Sequence, residues 1–121
     1  MNSGVYVVTV DQTAEWIDLK LMPWAESSRP LLAGMYQNQC VCVFGTIPTS
    51  LLSEEAYLWL WTAPELPKIT FGRCARKALP KLLALYPKLI CNCFNEKSAH
   101  WLFSLGAKPV SPNLFIFERK S

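Results

Sequence analysis

Apolar residues in this chain occur in short runs separated by polar or turn-forming residues. Six of these runs are predicted as β-strands, and most of them are rich in β-branched or aromatic residues. They are Val5–Val10, Leu31–Tyr36, Cys40–Phe44, Ala56–Trp61, Leu89–Phe94 and Leu114–Phe117. The polar residues 37–39 predict a turn, so that the second and third runs form an antiparallel hairpin. We expect Gly45 to end the third strand and residues 47–53 to form a loop.

Two shorter segments have the spacing of amphipathic helices and recognisable ends. Asp11 is a suitable N-cap for the first, and Pro23 stops it. Asn95 is a suitable N-cap for the second, which covers Glu96–Leu105. Gly106 follows at the position where a left-handed residue usually ends a helix. We therefore predict a helix in each segment.

The most periodic helical segment is Arg73–Tyr86, in which apolar residues recur every third or fourth position. It contains Pro80, which would cost roughly 3 kcal/mol in a helix interior. We therefore expect residues 68–72 to form a linker and the regular helix to begin nearer Lys77.

These elements follow the order β-α-β-β-β-α-β-α-β. A helix between the fourth and fifth strands implies a right-handed crossover, and the two strands are then parallel. We therefore predict an α/β fold, more closely an α+β fold with a central mixed β-sheet and helices on both faces. With 121 residues, the chain fits a single domain over 1–121.

The composition excludes some classes of protein. Hydrophobic residues make up 51% of the chain and charged residues 17%, so a disordered chain is excluded. The net charge of +3 is too small to predict nucleic acid as the main ligand. One basic run, residues 68–81, contains no acid; a solvated helix face and an anion contact both remain open. The five Trp residues fit either an aromatic core or a surface for a partner.

Four of the five Cys residues form two C-x-C pairs, Cys40/Cys42 and Cys91/Cys93. Residues two apart in a strand point to the same face, so neighbouring strands could bring four thiolates together around zinc. The spacing differs from the usual C-x-x-C motif, and unpaired Cys is among the most buried residue types. We therefore favour buried core thiols and predict no metal site.

No segment resembles a signal peptide or a membrane span. The N-terminus lacks a basic patch followed by an apolar core, and no apolar run approaches the ~20 residues that a membrane helix needs. We therefore expect a protein without a membrane segment that works in a cytoplasm, where thiols stay reduced.

The last third of the chain carries a motif. A helix is preceded by Asn95, contains Leu102 and is followed by Gly106. In GNAT (GCN5-related N-acetyltransferase) acyltransferases, an Asn, a Tyr and a Gly occupy these three positions. The chain resembles that superfamily across nearly its whole length, and the resemblance implies a GNAT-like fold.

A closer resemblance is to the internal virion protein A family of short-tailed, podovirus-type phages, whose members look like degenerate GNAT domains. It is carried by Trp61–Ala63, Gly72–Lys77, Asn95, Ser98, His100, Phe103, Gly106–Ala107 and Phe115–Phe117. The resemblance implies a virion-associated protein of the virion and the host cytoplasm. Such a protein would bind other virion proteins or a host protein during virion assembly or genome delivery. Two alternatives stay open: an acetyl-CoA-dependent N-acyltransferase that acts on an amine, and a host-directed phage inhibitor.

If the GNAT resemblance extends to activity, it implies an acetyl-CoA site. The end of the fourth strand, Leu60–Ala63, would splay away from Cys91–Phe94 of the fifth and hold the pantetheine arm; an ordinary closed parallel pair remains open. The superfamily's phosphate-binding loop has Arg or Gln at its first motif position, Gly three residues later, and Gly or Ala two residues after that. In this chain Ile69, Gly72 and Cys74 stand at these three positions, so only the first Gly of the motif is kept. The implied cofactor contacts are Leu60, Thr62, Ala63, Gly72, Arg73, Cys74 and Asn95.

The implied catalytic groups are incomplete. Leu102 stands at the position of the Tyr that acts as general acid in the superfamily, and leucine cannot donate a proton. Glu54 and Glu55 are the general-base candidates by position, with Glu55 preferred, and Tyr57 and His100 are candidate replacements for the acid. A solvated strand entry for Glu55 and a surface contact for His100 remain open. Tyr86 and Cys93 are further candidates nearby. The virion-protein hypothesis requires no cofactor, whereas an enzyme would require acetyl-CoA.

Overall fold

The computed structural model describes residues 4–10, 28–92 and 96–119, with the backbone alone for 96–98. The strands within these ranges are β1 (Val5–Thr9), β2 (Leu31–Tyr36), β3 (Gln39–Pro48), β4 (Glu55–Thr62), β5 (Lys88–Asn92), β6 (Lys108–Ser111) and β7 (Leu114–Glu118). The helices are α1 (Lys68–Leu85) and α2 (Glu96–Ser104). The predicted helix behind Asp11 and the predicted N-cap Asn95 lie outside the described residues.

The strands form one sheet in the order β1-β2-β3-β4-β5-β7-β6. Neighbouring strands are antiparallel except for β4 and β5, which are parallel as the crossover predicts. The predicted mixed α+β sheet is therefore confirmed. The sheet also contains β6, an edge strand that the apolar pattern does not predict. All its residues are exposed and one of them is Pro109, so it has neither an apolar face nor a full set of N–H donors.

The two described helices pack on the same face of the sheet. Their buried side chains join strand residues such as Phe44 and Phe117 in one apolar cluster. The opposite face carries a separate cluster that includes Val43, and Trp59 and Trp61 pack against it. The Trp residues of β4 therefore belong to the face that points away from α1 and α2.

Helix α1 is longer than the sequence predicts. It begins at Lys68 and continues through Pro80, so the predicted linker over 68–72 and the predicted start near Lys77 are wrong. Pro80 is exposed, and its missing N–H lies on the solvent side of the helix. Burial of a large apolar side chain is worth about 1.5–3 kcal/mol, so the buried face outweighs the cost of one proline. The buried residues are Phe71, Cys74, Ala75, Ala78, Leu79 and Leu82.

Strands β2 and β3 form the predicted hairpin. Gln37 and Asn38 have φ values of 52° and 62°, the pattern of a type I′ turn. β3 does not end at Gly45 but continues to Pro48. A Cβ atom at Gly45 would lie 2.1 Å from Cε2 of Trp59, which is its partner across the strands. This glycine makes room for an aromatic ring and does not break the strand.

Helix α2 ends as predicted. Gly106 has a φ of +98°, and its N–H donates to the carbonyl of Phe103 over 3.0 Å. The N–H of Ala107 donates to the carbonyl of Leu102 over 3.1 Å. These bonds satisfy carbonyls at the helix end and return the chain toward β6.

Candidate functional site

Strands β4 and β5 are paired over only part of their length. The parallel register covers Glu55–Tyr57 opposite Lys88–Ile90. Beyond Tyr57, β4 continues to Thr62 and stays paired with β3 alone. The sheet therefore opens between β4 and β5 toward the carboxyl ends of both strands, and the predicted splayed strand end is confirmed.

The peptide groups of β4 alternate between β3 and this opening. The N–H of Thr49 donates to the carbonyl of Glu55 over 3.1 Å, and the N–H of Ala63 donates to that of Val41 over 2.8 Å. Odd-numbered residues of β4 therefore direct their N–H and C=O groups toward β3. The peptide groups of Leu60 and Thr62 consequently face the opening, beyond the last residue paired with β5.

Ala63 is less suited to a cofactor contact through its backbone. Its N–H is used by Val41, and its carbonyl accepts a bond of 3.2 Å from the N–H of Leu66. Both of its backbone groups are therefore occupied within the protein. Among the predicted strand contacts, Leu60 and Thr62 have the required direction and Ala63 does not.

The first turn of α1 lies at the same edge, because only residues 63–67 separate it from the end of β4. Pro67 is the N-cap and provides no side-chain cap, and the first turn contains no acidic residue. The carbonyl of Pro67 accepts a bond from the N–H of Phe71, so the three N–H groups before Phe71 have no acceptor within the helix. Such a helix start attracts anions.

A groove of about 540 Å³ lies between α1 and α2. Its lining residues are Lys68, Ile69, Phe71, Gly72, Arg73, Arg76, Trp101, Ser104 and Leu105. Phe71 and Trp101 are stacked with ring centroids 4.8 Å apart. Within the described ranges, the ion pairs are Lys88–Glu55 and Lys108–Glu118, so none of the cations lining the groove has an acidic partner there. The groove therefore combines basic side chains with aromatic surface.

The predicted phosphate-binding loop at Gly72–Cys74 is wrong, because these residues lie inside α1. Cys74 is fully buried against the sheet and cannot contact a cofactor. Gly72 and Arg73 line the groove instead. Of the basic run seen in the sequence, Lys77 turns back and donates to the carbonyl of Val5 over 3.0 Å.

Trp101 was not among the residues that the resemblance indicates. A signal for it exists in the sequence: Trp101, Ser104 and Leu105 are spaced by three and four positions, so they share one face of α2. The same rule places Lys68, Gly72 and Arg76 along one face of α1. The sequence alone does not indicate that these two faces meet.

The cysteines do not form the hypothetical zinc site from neighbouring strands, since β4 lies between β3 and β5. A bulge shifts the register so that Gly34 is opposite Cys42 and Met35 is opposite Cys40. Cys40 and Cys42 consequently point to opposite faces, and the expectation that they share a face is wrong. Within the described part of the chain, no three His, Cys, Asp or Glu residues are arranged to hold a metal; Cys93 lies outside it.

Cys42 contacts Cys74 beneath α1, and both thiols are buried. The hydrogen bond from Cys42 to Cys74, together with burial, raises the pKa of Cys42. Cys42 is therefore a core thiol that stays protonated.

Glu55 and Tyr57 lie on the face of β4 that points away from α1, on either side of buried Ala56. Glu55 forms an ion pair with Lys88 over 3.5 Å. Tyr57 is 47% exposed and stands at the last position paired with β5, where the opening begins. Of the two, Tyr57 lies closer to the opening.

The other candidate proton donors are less well placed. His100 is exposed and lies about 200° around the helix from buried Leu102, so it points away from the core. The hydroxyl of Tyr86 donates to the carbonyl of Arg29 over 2.8 Å. Leu102 is packed in the same cluster as Phe44, so the position of the superfamily Tyr is part of the core. Asn95 lies outside the described residues, and its role stays a prediction.

Comparison with solved structures supports the fold described above. The scan of family models and the search of curated proteins give no match. Solved structures that resemble the chain include a GNAT family acetyltransferase from Elizabethkingia anophelis with acetyl-CoA bound (12% identity, 98% of this chain and 100% of that chain, TM-score 0.72). A Bacillus subtilis acetyltransferase in complex with CoA has 7% identity, coverage of 96% and 99%, and a TM-score of 0.71.

An IAA acetyltransferase from Bacillus cereus ATCC 14579 is similar over 88% of this chain and 79% of its own, with 9% identity and a TM-score of 0.64. At such identities the likeness concerns the fold alone. The chain has the fold of GNAT acetyltransferases, and no comparison supports the internal virion protein A family.

Proposed function

We propose that this protein is an acyl-CoA-dependent N-acyltransferase that acts on an amine. The observation that carries the proposal is the opening between β4 and β5, where the peptide groups of Leu60 and Thr62 have no strand partner on the β5 side. An extended amide-containing ligand can satisfy such groups as a further strand would. Similar structures bind acetyl-CoA or CoA, which supports the proposal.

The residues around the opening fit the parts of acetyl-CoA. The free peptide groups of Leu60 and Thr62 match the amides of its pantetheine arm. The N–H groups in the first turn of α1 and the guanidinium of Arg73 match its diphosphate. When bound, acetyl-CoA would supply an acyl group activated as a thioester.

The chain places few proton-transferring side chains at the opening. An amine must lose a proton to attack, and the leaving thiolate must gain one. Leu102 provides no proton, and Tyr57 is the donor nearest to the start of the opening. A well-placed general acid contributes about 10²–10⁴-fold to a rate. We therefore expect turnover to depend on Tyr57 as the proton donor.

The direct test is calorimetric titration of the full chain with acetyl-CoA. We expect a dissociation constant of about 1 µM to 1 mM, the usual range for enzyme substrates. The Thr62→Pro variant removes an N–H that faces the opening and leaves the bonds to β3 in place. It should bind about 2–10-fold more weakly, the value of one hydrogen bond. Thr62→Ala keeps the N–H and is the control; absence of binding to the wild-type chain would overturn the proposal.

A second candidate is the virion-associated binding protein, located in the virion and the host cytoplasm. The buried Leu102 favours it, because a domain that only binds partners needs no proton donor. Other virion proteins or a host protein would be the partners, and a host-directed inhibitor is a variant of the same idea. None of the described helices is both long and apolar enough to span a membrane. Detection of the chain in purified phage particles would support this candidate, and its absence from them would contradict it.

A further inference from the structure

Four apolar side chains form a row across the sheet, one from each of four adjacent strands. The register places Ile47 beside Tyr57, Tyr57 beside Ile90, and Ile90 beside Ile116. Tyr57 is 47% exposed, and the three isoleucines are partly exposed. These four residues are the apolar row, which is about 14 Å long because neighbouring strands are about 4.8 Å apart.

Core packing does not account for the apolar row. It lies on the face of the sheet that points away from α1 and α2, because neighbours along the strands such as Leu89 and Phe117 are buried on the other face. Among the described residues, no member of the row belongs to either apolar cluster. A line of four partly exposed apolar side chains outside the core is a candidate contact surface for a ligand.

The charged residues next to the apolar row neutralise one another. Glu55, Lys88 and Glu118 are opposite one another in the register, one step along the strands from the row. Glu55 forms its ion pair with Lys88, and Glu118 forms one of 3.9 Å with Lys108. These pairs leave little net charge to attract an ionic ligand, whereas an apolar ligand can bury surface on the row without leaving a charge unpaired.

The apolar row crosses the sheet where the opening between β4 and β5 begins. Tyr57 and Ile90 are the last pair of the parallel register, so a ligand on the row lies beside the opening and beside the phenol of Tyr57. The basic groove between α1 and α2 lies on the other face of the sheet. An acceptor can therefore approach the opening from the row while the first turn of α1 holds a diphosphate.

We propose that the apolar row binds the acceptor substrate, and that this substrate is a primary amine carried by an aromatic or branched aliphatic body. This inference rests on the proposed function and names the substrate class of the same site. The amino group would lie near Tyr57, and the body would extend over Ile90 and Ile116, two strand spacings or about 10 Å. A polyamine or an amine with a carboxylate would lose hydration on this surface without gaining a partner for its second charge.

The proposal predicts discrimination between amines that differ in their apolar body. Initial rates of acetylation by the full chain with acetyl-CoA would compare 2-phenylethylamine, ethylamine and putrescine. We expect kcat/KM to be about 10–100-fold higher for 2-phenylethylamine than for ethylamine, the value of burying a phenyl-sized group. Putrescine should resemble ethylamine. Equal kcat/KM for the three amines, or a preference for putrescine, would overturn the proposal.

Variants locate the effect on the sheet. The double variant Ile90→Thr/Ile116→Thr keeps β-branched side chains in both strands and makes the row polar. It should lower kcat/KM for 2-phenylethylamine about tenfold and leave kcat/KM for ethylamine unchanged. Calorimetric titration gives a second readout: the double variant should bind 2-phenylethylamine more weakly and acetyl-CoA as tightly as the wild-type chain does. The single variants carry the same test, with a smaller effect, if the double variant does not fold.

Val110→Thr is the matched control, because it makes the same kind of change at an exposed position of edge strand β6, outside the row. It should keep the full preference for 2-phenylethylamine. A double variant that keeps this preference would overturn the assignment to the apolar row. If none of the three amines is acetylated, the proposed function itself fails; if all three are acetylated with equal kcat/KM, only this inference fails.

Discussion

Substitution of Gly72 by Leu should make the protein more stable and worse at binding CoA. Helix propensity and the free space at position 72 both favour a gain in stability. Glycine is about 0.8–1 kcal/mol less favourable than alanine in a helix interior, and leucine ranks just below alanine. A Cβ atom at position 72 would displace no neighbour, because no heavy atom lies within 4 Å of it. For a chain of this size, such a gain raises Tm by about 4 °C.

The same side chain would occupy the groove between α1 and α2. It would stand between Lys68 and Arg76 and would take the space in front of the helix backbone. We expect CoA affinity to fall at least about tenfold, a loss of about 1.4 kcal/mol. The affinity for pantetheine, which carries no phosphate, should stay unchanged. Gly72→Ala should give a similar rise in Tm with a smaller loss of affinity, because it adds one methyl group.

The assays are thermal unfolding monitored by circular dichroism and calorimetric titration with both ligands. Lys81→Leu is the control for an added exposed leucine on the same helix. A Gly72→Leu chain with raised Tm and wild-type CoA affinity would refute the proposal that the phosphates of CoA lie beside Arg73 in the groove. A lowered Tm would refute the claim that the space in front of Gly72 is free of protein atoms.

Three further predictions concern other parts of the molecule. Gly45→Ala should destabilise the protein by about 1–3 kcal/mol in urea unfolding, since its Cβ would overlap the ring of Trp59, whereas an unchanged midpoint would contradict the close packing. Because the pKa of the Cys42 thiol is raised in the folded protein, the unfolded chain loses this proton at a lower pH than the folded chain does. The free energy of unfolding should therefore fall as pH rises above about 9. Cys42→Ala should flatten that fall in urea titrations at pH 8–10.5. Tyr57→Phe should lower kcat for amine acetylation about 10²-fold or more and leave acetyl-CoA affinity unchanged, and an unchanged kcat would exclude its phenol as the proton donor.

The features that could be predicted from the sequence depend on neighbouring residues. The strand runs, the hairpin turn at Gln37 and Asn38 and the helix end at Gly106 are each encoded within a few positions, and all three are found. The parallel pairing of β4 and β5 also follows, since a helix between two strands leaves one common handedness. The resemblance to GNAT acyltransferases predicts both the fold and the opening at the end of β4.

The wrong predictions involve contacts across the sheet. Pro80 argues locally against a long helix, yet the buried face of α1 outweighs its cost. A bulge in β3 sends Cys40 and Cys42 to opposite faces, although their spacing predicts a shared face. Cys74 follows Gly72 by two positions in the sequence. The side chain of Cys74 is nevertheless buried under the helix, whereas Gly72 lines the groove.

The amino-acid sequence by itself determined the six apolar strands, the helix end at Gly106, the crossover that makes two strands parallel, and the absence of a proton donor at Leu102. The tertiary structure alone decided that Gly45 lies under a ring while Gly72 faces open space, and that Trp101 stands opposite Arg76. The physical reason is that periodicity along the chain specifies which side of an element is apolar. It does not specify what that side meets, because the partner comes from a distant part of the chain.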